Sequence, residues 1–241
     1  MSFLTFLRAN SPFLSAGALL ALTSSYGQTY FISLFAGEIR AEFGLSHGAW
    51  GGIYTAGTTI SAIVMVWAGA LTDRFRVRHL GAIVAVVLAL ACLLMAGAQN
   101  AAMLILAVFA LRFAGQGMMS HLSVVAMARW FVATRGRALS IAAMGYSVGQ
   151  AILPILFVAL LVHFDWRLLW VLAAGLVLLT MPVLARLLHA ERTPQSVAEE
   201  TQAVGMEGRH WTRRDVLHHW LFWLMVPVLL GVAFHDQERA W

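Results

Sequence analysis

The sequence contains no lysine, and its 16 Lys-or-Arg positions are all arginine. The phosphate-binding loop G-x-x-x-x-G-K-[ST] is therefore excluded, and with it an ATP-driven pump built on that motif. A single cysteine, Cys92, makes a disulfide within the chain impossible. No H-x-x-x-H pair or Cys/His cluster occurs, so the sequence predicts no metal site and no cofactor. No catalytic residues stand out, and we expect a protein that is not an enzyme.

Apolar residues are abundant, at 61% of the chain with a mean hydropathy of +0.79. Soluble domains typically have about 45–50%. Six apolar runs are long enough to cross a bilayer as helices. They cover about residues 13–36, 49–71, 80–98, 101–128, 138–161 and 168–188. We therefore predict an all-α integral membrane protein.

The domain organisation follows from the polar stretch at 189–215, which has the composition of a linker. A seventh apolar run starts near Val216 and fades at Phe234. The sequence thus predicts a six-helix transmembrane domain at 1–188, a cytoplasmic linker at 189–215, and a truncated seventh helix with its tail at 216–241.

Acidic residues are missing from all six predicted spans. Glu38, Glu42, Asp73 and Asp165 fall in loops or at the predicted helix ends. Proton-coupled carriers usually place a titratable carboxylate inside the membrane. A proton symporter built on this sequence would therefore need its coupling carboxylate from helices other than these six.

The arginines indicate the orientation, because the cytoplasmic loops of membrane proteins carry an excess of basic residues. If the odd-numbered helices start in the cytoplasm, 12 arginines lie inside and only Arg40 and Arg167 lie in outer loops of the six-helix unit. The N-terminus and the linker are then cytoplasmic. We expect a multi-pass protein of a bacterial-type inner (plasma) membrane. No nucleic-acid partner is expected, since the arginines are spread over successive loops.

Residues 69–80 read GALTDRFRVRHL, a charged turn between two apolar runs. This string resembles the signature loop G-x-L-[ST]-D-R-x-x-R-[RK] after the second helix of the major facilitator superfamily. LRFAGQGMMS at 111–120 and HFDWRLLW at 163–170 are also similar to segments of that family. Residues 130–154 look like the loop and fifth helix of its monocarboxylate-transporter-like branch. The chain resembles the N-terminal six-helix half of such a transporter.

The resemblance has three implications for this chain. It implies a bundle of two inverted three-helix repeats. It implies that Gly69, Asp73, Arg74 and Arg78 form a cytoplasmic latch that steadies one conformation of the transporter. Complete members have twelve helices in two halves, so it also implies a C-terminal six-helix half as a partner, beside the lipid bilayer and a small-molecule substrate.

Arg112 lies midway along the fourth apolar run, where inserting an arginine costs roughly 2.5–3.5 kcal/mol or more. Helical spacing places Arg112, Gln116 and Ser123 on one polar stripe. One interpretation is an anion-binding group in a transport pathway, because a guanidinium binds carboxylates bidentately. The other is an arginine that backbone carbonyls or a neighbouring helix satisfy, and that holds the bundle together.

The first predicted span has an unusually polar middle, in which Tyr26 and Tyr30 are separated by four residues and share a helical face. Their hydroxyls either line a central substrate cavity or belong to a stretch that serves only helix packing. Gln150, in the fifth span, is a further candidate for the substrate pathway.

The fifth span also carries a G-x-x-x-G motif at Gly145 and Gly149, followed by Pro154. Glycines four residues apart allow two helices to approach closely, and a proline bends a helix. We expect these residues to serve helix packing or a hinge.

These features predict a secondary active transporter of a small organic solute that works by alternating access. An organic anion is the expected substrate, with or without proton symport. Two alternatives stay open. One is a drug or metabolite exporter of the same fold, although the fifth span lacks the G-P pair usual in such antiporters. The other is a truncated, non-transporting fragment of such a carrier.

We expect residues 216–241 not to span the membrane stably by themselves, because the seventh apolar run ends in the polar string HDQERAW. Protease digestion of sealed membrane vesicles measures this directly. A tail protected from the protease would contradict the expectation.

Overall fold

The computed structural model describes residues 3–189 and 213–227. The helices are α1 Phe3–Thr23, α2 Thr29–Ser33, α3 Ala36–Phe43, α4 His47–Ala68, α5 Leu71–Arg74, α6 Val77–Ala96, α7 Ala101–Leu111, α8 Ser120–Trp130, α9 Arg135–Leu161, α10 Trp166–Leu187 and α11 Arg213–His218. A 3₁₀ turn, Ser24–Gly27, follows α1, and a π-helical segment, Arg112–Met119, joins α7 to α8. Residues 220–227 are also helical. The chain divides into two compact units, Met1–Glu199 and Glu200–Trp241, and the five long apolar stretches lie in the first.

The described residues are helical and contain no strand, which confirms the prediction of an all-α membrane bundle. Within residues 3–189 and 213–227, five helical stretches are long and apolar enough to cross a membrane. They are His47–Arg74, Val77–Ala96, Ala101–Trp130, Arg135–Leu161 and Trp166–Leu187. These stretches correspond to the second to sixth predicted spans. The predicted linker at 189–215 and the end of the predicted seventh span fall mainly outside the described residues.

The first predicted span, 13–36, differs most from the structure, because it is not one continuous helix. After α1 ends at Thr23 the chain makes the 3₁₀ turn, and Gln28 then adopts an extended conformation with φ −82° and ψ 154°. Ser24 contributes to the break, since its Oγ donates to the carbonyl of Ala21 at 2.7 Å. Hydroxyls that bond to nearby carbonyls compete with the helical hydrogen bonds. The polar middle of the span therefore interrupts it.

Two glycines bring this break into contact with the π-helical segment. A Cβ atom on Gly27 would lie 2.1 Å from the carbonyl oxygen of Leu111, and one on Gly115 would lie 2.6 Å from the Cα of Gly27. Side chains cannot approach backbone so closely, so both positions require glycine. The two stretches of non-α backbone therefore cross in direct contact, and we call this the Gly27–Gly115 crossing.

Gly145 and Gly149 place α9 against the first span. A Cβ atom on Gly145 would lie 1.9 Å from the carbonyl oxygen of Ala18, and one on Gly149 would lie 2.1 Å from the Oγ of Ser25. Both glycines thus lie where helix packing leaves no room for a side chain. Pro154 lies inside α9, which continues beyond it.

Four aromatic side chains fix α2 against α9 and α10. The ring centroids of Phe31 and Phe157 lie 4.9 Å apart, and those of Phe35 and Trp170 lie 4.9 Å apart. All four side chains are fully buried. Aromatic pairs of this kind contribute roughly 0.5–1.5 kcal/mol beyond the burial of their surface. Packing of these rings therefore sets the position of the short helix α2.

Arg167 joins the ends of three helices through a group that we call the Arg167 clasp. Its guanidinium donates to the carbonyls of Ala96 at 2.6 Å and Ala98 at 2.7 Å, at the end of α6. It also donates to Oε1 of Glu42, at the end of α3, at 2.7 Å. Trp166 donates from Nε1 to the other carboxylate oxygen of Glu42 at 2.7 Å. The hydrogen bonds from Arg167 and Trp166 hold the pKa of the Glu42 carboxyl below its ordinary value.

Replacing Gly145 by alanine should destabilise the bundle by about 1–3 kcal/mol, because the new methyl group meets the Ala18 carbonyl and forces the backbones of α1 and α9 apart. Thermal unfolding in detergent measures the change. Gly175→Ala is the matched control, since a Cβ there meets nothing within 4 Å. Equal melting temperatures for the two variants would contradict the close contact of α1 and α9.

The Arg167 clasp should make stability depend on pH through Glu42. Because the folded-state pKa of Glu42 is lowered, its contribution is present above the ordinary carboxyl value of about 4.3 and is lost as the pH falls through the lower folded-state pKa. We expect wild type to melt above Glu42→Gln at pH 7 and this difference to vanish on acidification. Glu38→Gln, an exposed position on the same helix, is the control. A difference that stays constant with pH would contradict the assignment.

Candidate functional site

Arg112 begins the π-helical segment and is only 8% exposed. Its Nη1 donates to the carbonyl of Gly27 at 3.4 Å and to Oγ1 of Thr29 at 3.0 Å. The break in the first span explains the contact with Gly27. The amide of Phe31, which would bond to that carbonyl in a continuous helix, donates to Gln28 instead at 3.2 Å. Arg112 therefore donates to the Gly27 carbonyl in place of the Phe31 amide.

Tyr54, from α4, completes the surroundings of Arg112. Its hydroxyl donates to Oγ1 of Thr29 at 2.9 Å, and the guanidinium carbon of Arg112 lies 5.7 Å from the centroid of its ring. A cation at this distance from an aromatic face is attracted to it. Thr29 is exposed and Tyr54 is half-buried. We call Arg112, Thr29 and Tyr54 the Arg112 cluster; it joins α2, α4 and the π-helical segment.

The positive charge of Arg112 is not neutralised by any carboxylate in residues 3–189 or 213–227. Glu42 pairs with Arg167 and Asp73 pairs with Arg129, so neither carboxylate serves Arg112. Within the same residues, Nε of Arg112 is buried and makes no hydrogen bond. Both hydrogen bonds of Arg112 to the first span come from Nη1. Nη2 takes part in neither bond, so the guanidinium keeps donor capacity there that an anion can use.

Tyr26 and Tyr30 lie in different surroundings, although the sequence predicted a shared face. Tyr26 is buried with its ring centroid 5.2 Å from that of Phe31, whereas Tyr30 is half-buried with its centroid 5.9 Å from that of Tyr146. The spacing of four residues applies to a continuous helix, and the extended Gln28 lies between the two tyrosines. Of the pair, Tyr30 lies next to Thr29 of the Arg112 cluster.

The polar stripe expected on the fourth span is formed only in part. Ser123 is buried like Arg112 and also bonds to the first span, since its Oγ donates to the carbonyl of Gly17 at 2.8 Å, whereas Gln116 is exposed. The π-helical segment changes the number of residues per turn, so faces assigned at 3.6 residues per turn do not carry through it. Gln150, on α9, is exposed. No hydrogen bond between described residues joins either glutamine to Arg112.

Thr29 and Tyr54 were not singled out by sequence reasoning. Thr29 is separated from Tyr54 by 25 residues and from Arg112 by 83. A threonine and a tyrosine in apolar runs carry no signal of their own. Only the packing of α2, α4 and the π-helical segment brings them together.

A cavity of about 170 Å³ lies among α1, α8 and α9 and is lined largely by alanine and serine side chains. Tyr146 forms part of its wall and packs its ring on Tyr30. Ser120, in another part of the wall, donates from Oγ to Oγ of Ser24 at 3.3 Å. Open space therefore lies beside the broken part of the first span.

The signature loop is tied to the end of α8. Asp73 forms an ion pair with Arg129, and Nη1 of Arg129 donates to the carbonyl of Thr72 at 2.5 Å. Oγ1 of Thr72 donates to the carbonyl of Gly69 at 2.7 Å and lies 3.4 Å from Nε2 of His121. Two side chains of α8, His121 and Arg129, thus contact this loop.

Arg129 was not expected in this role, because the sequence offered arginines much closer to Asp73. Of these, Arg74 is exposed at the end of α5 and Arg78 is half-buried at the start of α6. The residue that pairs with Asp73 instead lies 56 positions away. Spacing along the chain could not have identified it.

Comparison with known proteins agrees with these features. Residues 17–235 match the family described as Major Facilitator Superfamily. The matched region contains the signature loop, the Arg112 cluster and all five long apolar stretches. No curated protein matches the chain. Because the match covers most of the sequence, the chain belongs to the Major Facilitator Superfamily, a family of multi-pass membrane transporters.

Proposed function

We propose that this transporter moves a small organic anion by alternating access, as a secondary active carrier, and that Arg112 binds the anionic group. The observation that carries the proposal is the buried charge of Arg112, which has no carboxylate partner among the described residues. Leaving an ion buried without a counter-charge costs several kcal/mol. An anionic substrate would supply that counter-charge when it binds.

Arg112 also has a structural role, which must be separated from binding. Its Nη1 bonds to Gly27 and Thr29, and this contact supports the broken first span. A lysine could keep a positive charge and a hydrogen bond there, but its ammonium cannot bind a carboxylate bidentately. Lysine and glutamine substitutions therefore test the two roles separately.

The proposed orientation places the signature loop and Arg129 at the cytoplasmic face of a bacterial-type inner membrane, and the Arg167 clasp at the outer face. It rests on the excess of arginine in the loops assigned to the inside. We further propose that a second six-helix half lines the other side of the pathway. If transport is coupled to protons, a carboxylate of that half would carry them. In this chain, we propose Gln116, Tyr30 and Gln150 as additional residues of the substrate pathway.

Arg112→Lys should raise KM for organic anions at least about tenfold, equivalent to roughly 1.4 kcal/mol, because bidentate binding is lost. Arg112→Gln should lose transport and also lower the melting temperature. Uptake of radiolabelled lactate and pyruvate into proteoliposomes, with and without a pH gradient, measures the effect.

The control is Arg137→Gln, which removes an exposed arginine at the start of α9 and should leave KM unchanged. Normal transport by Arg112→Lys and Arg112→Ala variants that both fold would remove Arg112 from the site. Absence of uptake for every anion tested, by protein that melts normally, would argue against an anionic substrate.

The latch assigned to Gly69, Asp73, Arg74 and Arg78 is proposed to act through the ion pair of Asp73 with Arg129. Asp73→Asn and Arg129→Gln should each lower the maximal transport rate several-fold with KM nearly unchanged, because the loop after α4 is released from α8.

The charge exchange Asp73→Arg with Arg129→Asp is the decisive variant in the same uptake assay. It should recover part of the rate, because the attraction is restored with reversed sign. Arg76→Gln, an exposed position in the same loop, is the control. Slow single variants without recovery in the exchanged protein would show that this pair does not carry the effect.

A further inference from the structure

The hydroxyl of Thr29 is fixed as a hydrogen-bond donor by its two neighbours. Oγ1 accepts from Nη1 of Arg112 at 3.0 Å and from the hydroxyl of Tyr54 at 2.9 Å. A hydroxyl has two lone pairs and one proton, and a guanidinium can only donate. Arg112 therefore occupies one lone pair of Thr29. In the bond between the two hydroxyls the Tyr54 phenol is the more acidic group and donates, so the Thr29 proton remains for an outside acceptor.

Within the described residues, the proton of Thr29 has no acceptor. A threonine inside a helix usually donates to a carbonyl of the preceding turn. Thr23 does so, with Oγ1 2.7 Å from the carbonyl of Leu19. Thr29 stands at the first position of α2, directly after the extended Gln28, where that carbonyl is not in place. Its side chain is also exposed, so a ligand can reach it.

The Arg112 cluster therefore offers a ligand hydrogen-bond donors from both Arg112 and Thr29, and Thr29 has no free lone pair to accept with. The charge and the spare N–H capacity of Arg112 lie beside the directed O–H of Thr29. A carboxylate fits this pair, because it offers two acceptor oxygens and no donor. A carboxamide fits poorly, because one of its two ends carries only donors.

We propose that Thr29 is a second ligand for the carboxylate of the substrate and that Tyr54 is the positioning residue that directs the Thr29 proton toward it. This inference rests on the proposed function, in which Arg112 binds the same group. Both carboxylate oxygens accept from the Arg112 guanidinium, and one of them also accepts from the Thr29 hydroxyl with its second lone pair. Tyr54 bonds to Thr29 and its ring also lies against Arg112, but it does not itself contact the substrate; Tyr54→Phe keeps the ring and removes only the hydroxyl.

The test compares Thr29→Val, Thr29→Ser and Tyr54→Phe in proteoliposome uptake of radiolabelled lactate. Thr29→Val keeps the shape and removes the hydroxyl, so KM should rise roughly tenfold, the effect of losing one hydrogen bond to a charged group. The maximal rate should stay within about twofold, since a ligand rather than a moving part is lost. Thr29→Ser should restore KM, and Tyr54→Phe should raise it less than Thr29→Val.

Unlabelled lactamide supplies a second readout that a merely structural role would not move. In wild type it should compete poorly with labelled lactate. In Thr29→Val the ratio of the apparent affinities for lactate and lactamide should fall several-fold. Thr59→Val, an exposed threonine on α4, is the matched control and should change neither quantity. Melting temperatures establish that each variant folds.

The outcomes separate this inference from the proposed function. If Arg112→Lys raises KM but Thr29→Val does not, Thr29 is no ligand and the anion-binding role of Arg112 stands. If neither substitution raises KM, the proposed function itself fails. If Thr29→Ser is as impaired as Thr29→Val, the hydroxyl is not responsible and the inference is overturned. If Tyr54→Phe leaves both KM and the acid-to-amide ratio unchanged, Tyr54 has no positioning role.

Discussion

Inside a bilayer, every backbone polar group must find its hydrogen-bond partner within the protein. An uninterrupted helix meets this requirement by itself, but the first span of this transporter is interrupted at Ser24–Gln28. The carbonyl of Gly27 then takes its hydrogen bond from Arg112, on a distant part of the chain. The shape of the whole site depends on this bond, because it places the guanidinium at the break and fixes where Thr29 and Tyr54 must meet it.

The surrounding packing makes such a bond possible. At the Gly27–Gly115 crossing, two backbones touch because neither carries a side chain there. The π-helical segment that begins at Arg112 lies on the other side of the same contact. On the far side, the aromatic rings around Phe31 hold α2 in place. Arg112 is thereby held in one geometry before any ligand arrives, so less of its side-chain freedom is lost on binding.

The sequence was a good guide to what depends on hydropathy. Long apolar runs predicted five helical stretches close to their observed bounds, and the motif at 69–80 led to the correct family. The sequence did not predict which side chains share a face where the backbone departs from an α-helix. The break at Gln28 separated Tyr26 from Tyr30, and in the π-helical segment Gln116 is exposed whereas Arg112 is buried. Both errors came from applying one helical period across backbone that does not keep it.

Contacts between residues that are remote in the sequence could not be predicted either. Nothing in the local pattern distinguished Tyr54 from other tyrosines in apolar runs, or Arg129 from the arginines beside Asp73. A motif specifies the type of residue that a site needs, whereas tertiary packing decides which copy of that type is used. Arg112 could be selected because a charge inside an apolar run is itself unusual.

The Arg167 clasp has a mechanical consequence. It ties the ends of α3, α6 and α10 together, and the ion pair of Asp73 with Arg129 ties the loop after α4 to α8. Helices pinned near their ends cannot slide independently along their axes. Displacement of α3, α6 or α10 must therefore be transmitted to the other two, and displacement of α8 to the loop after α4. Bending is then easiest where the backbone is not α-helical, at Ser24–Gln28 and Arg112–Met119, beside the buried charge.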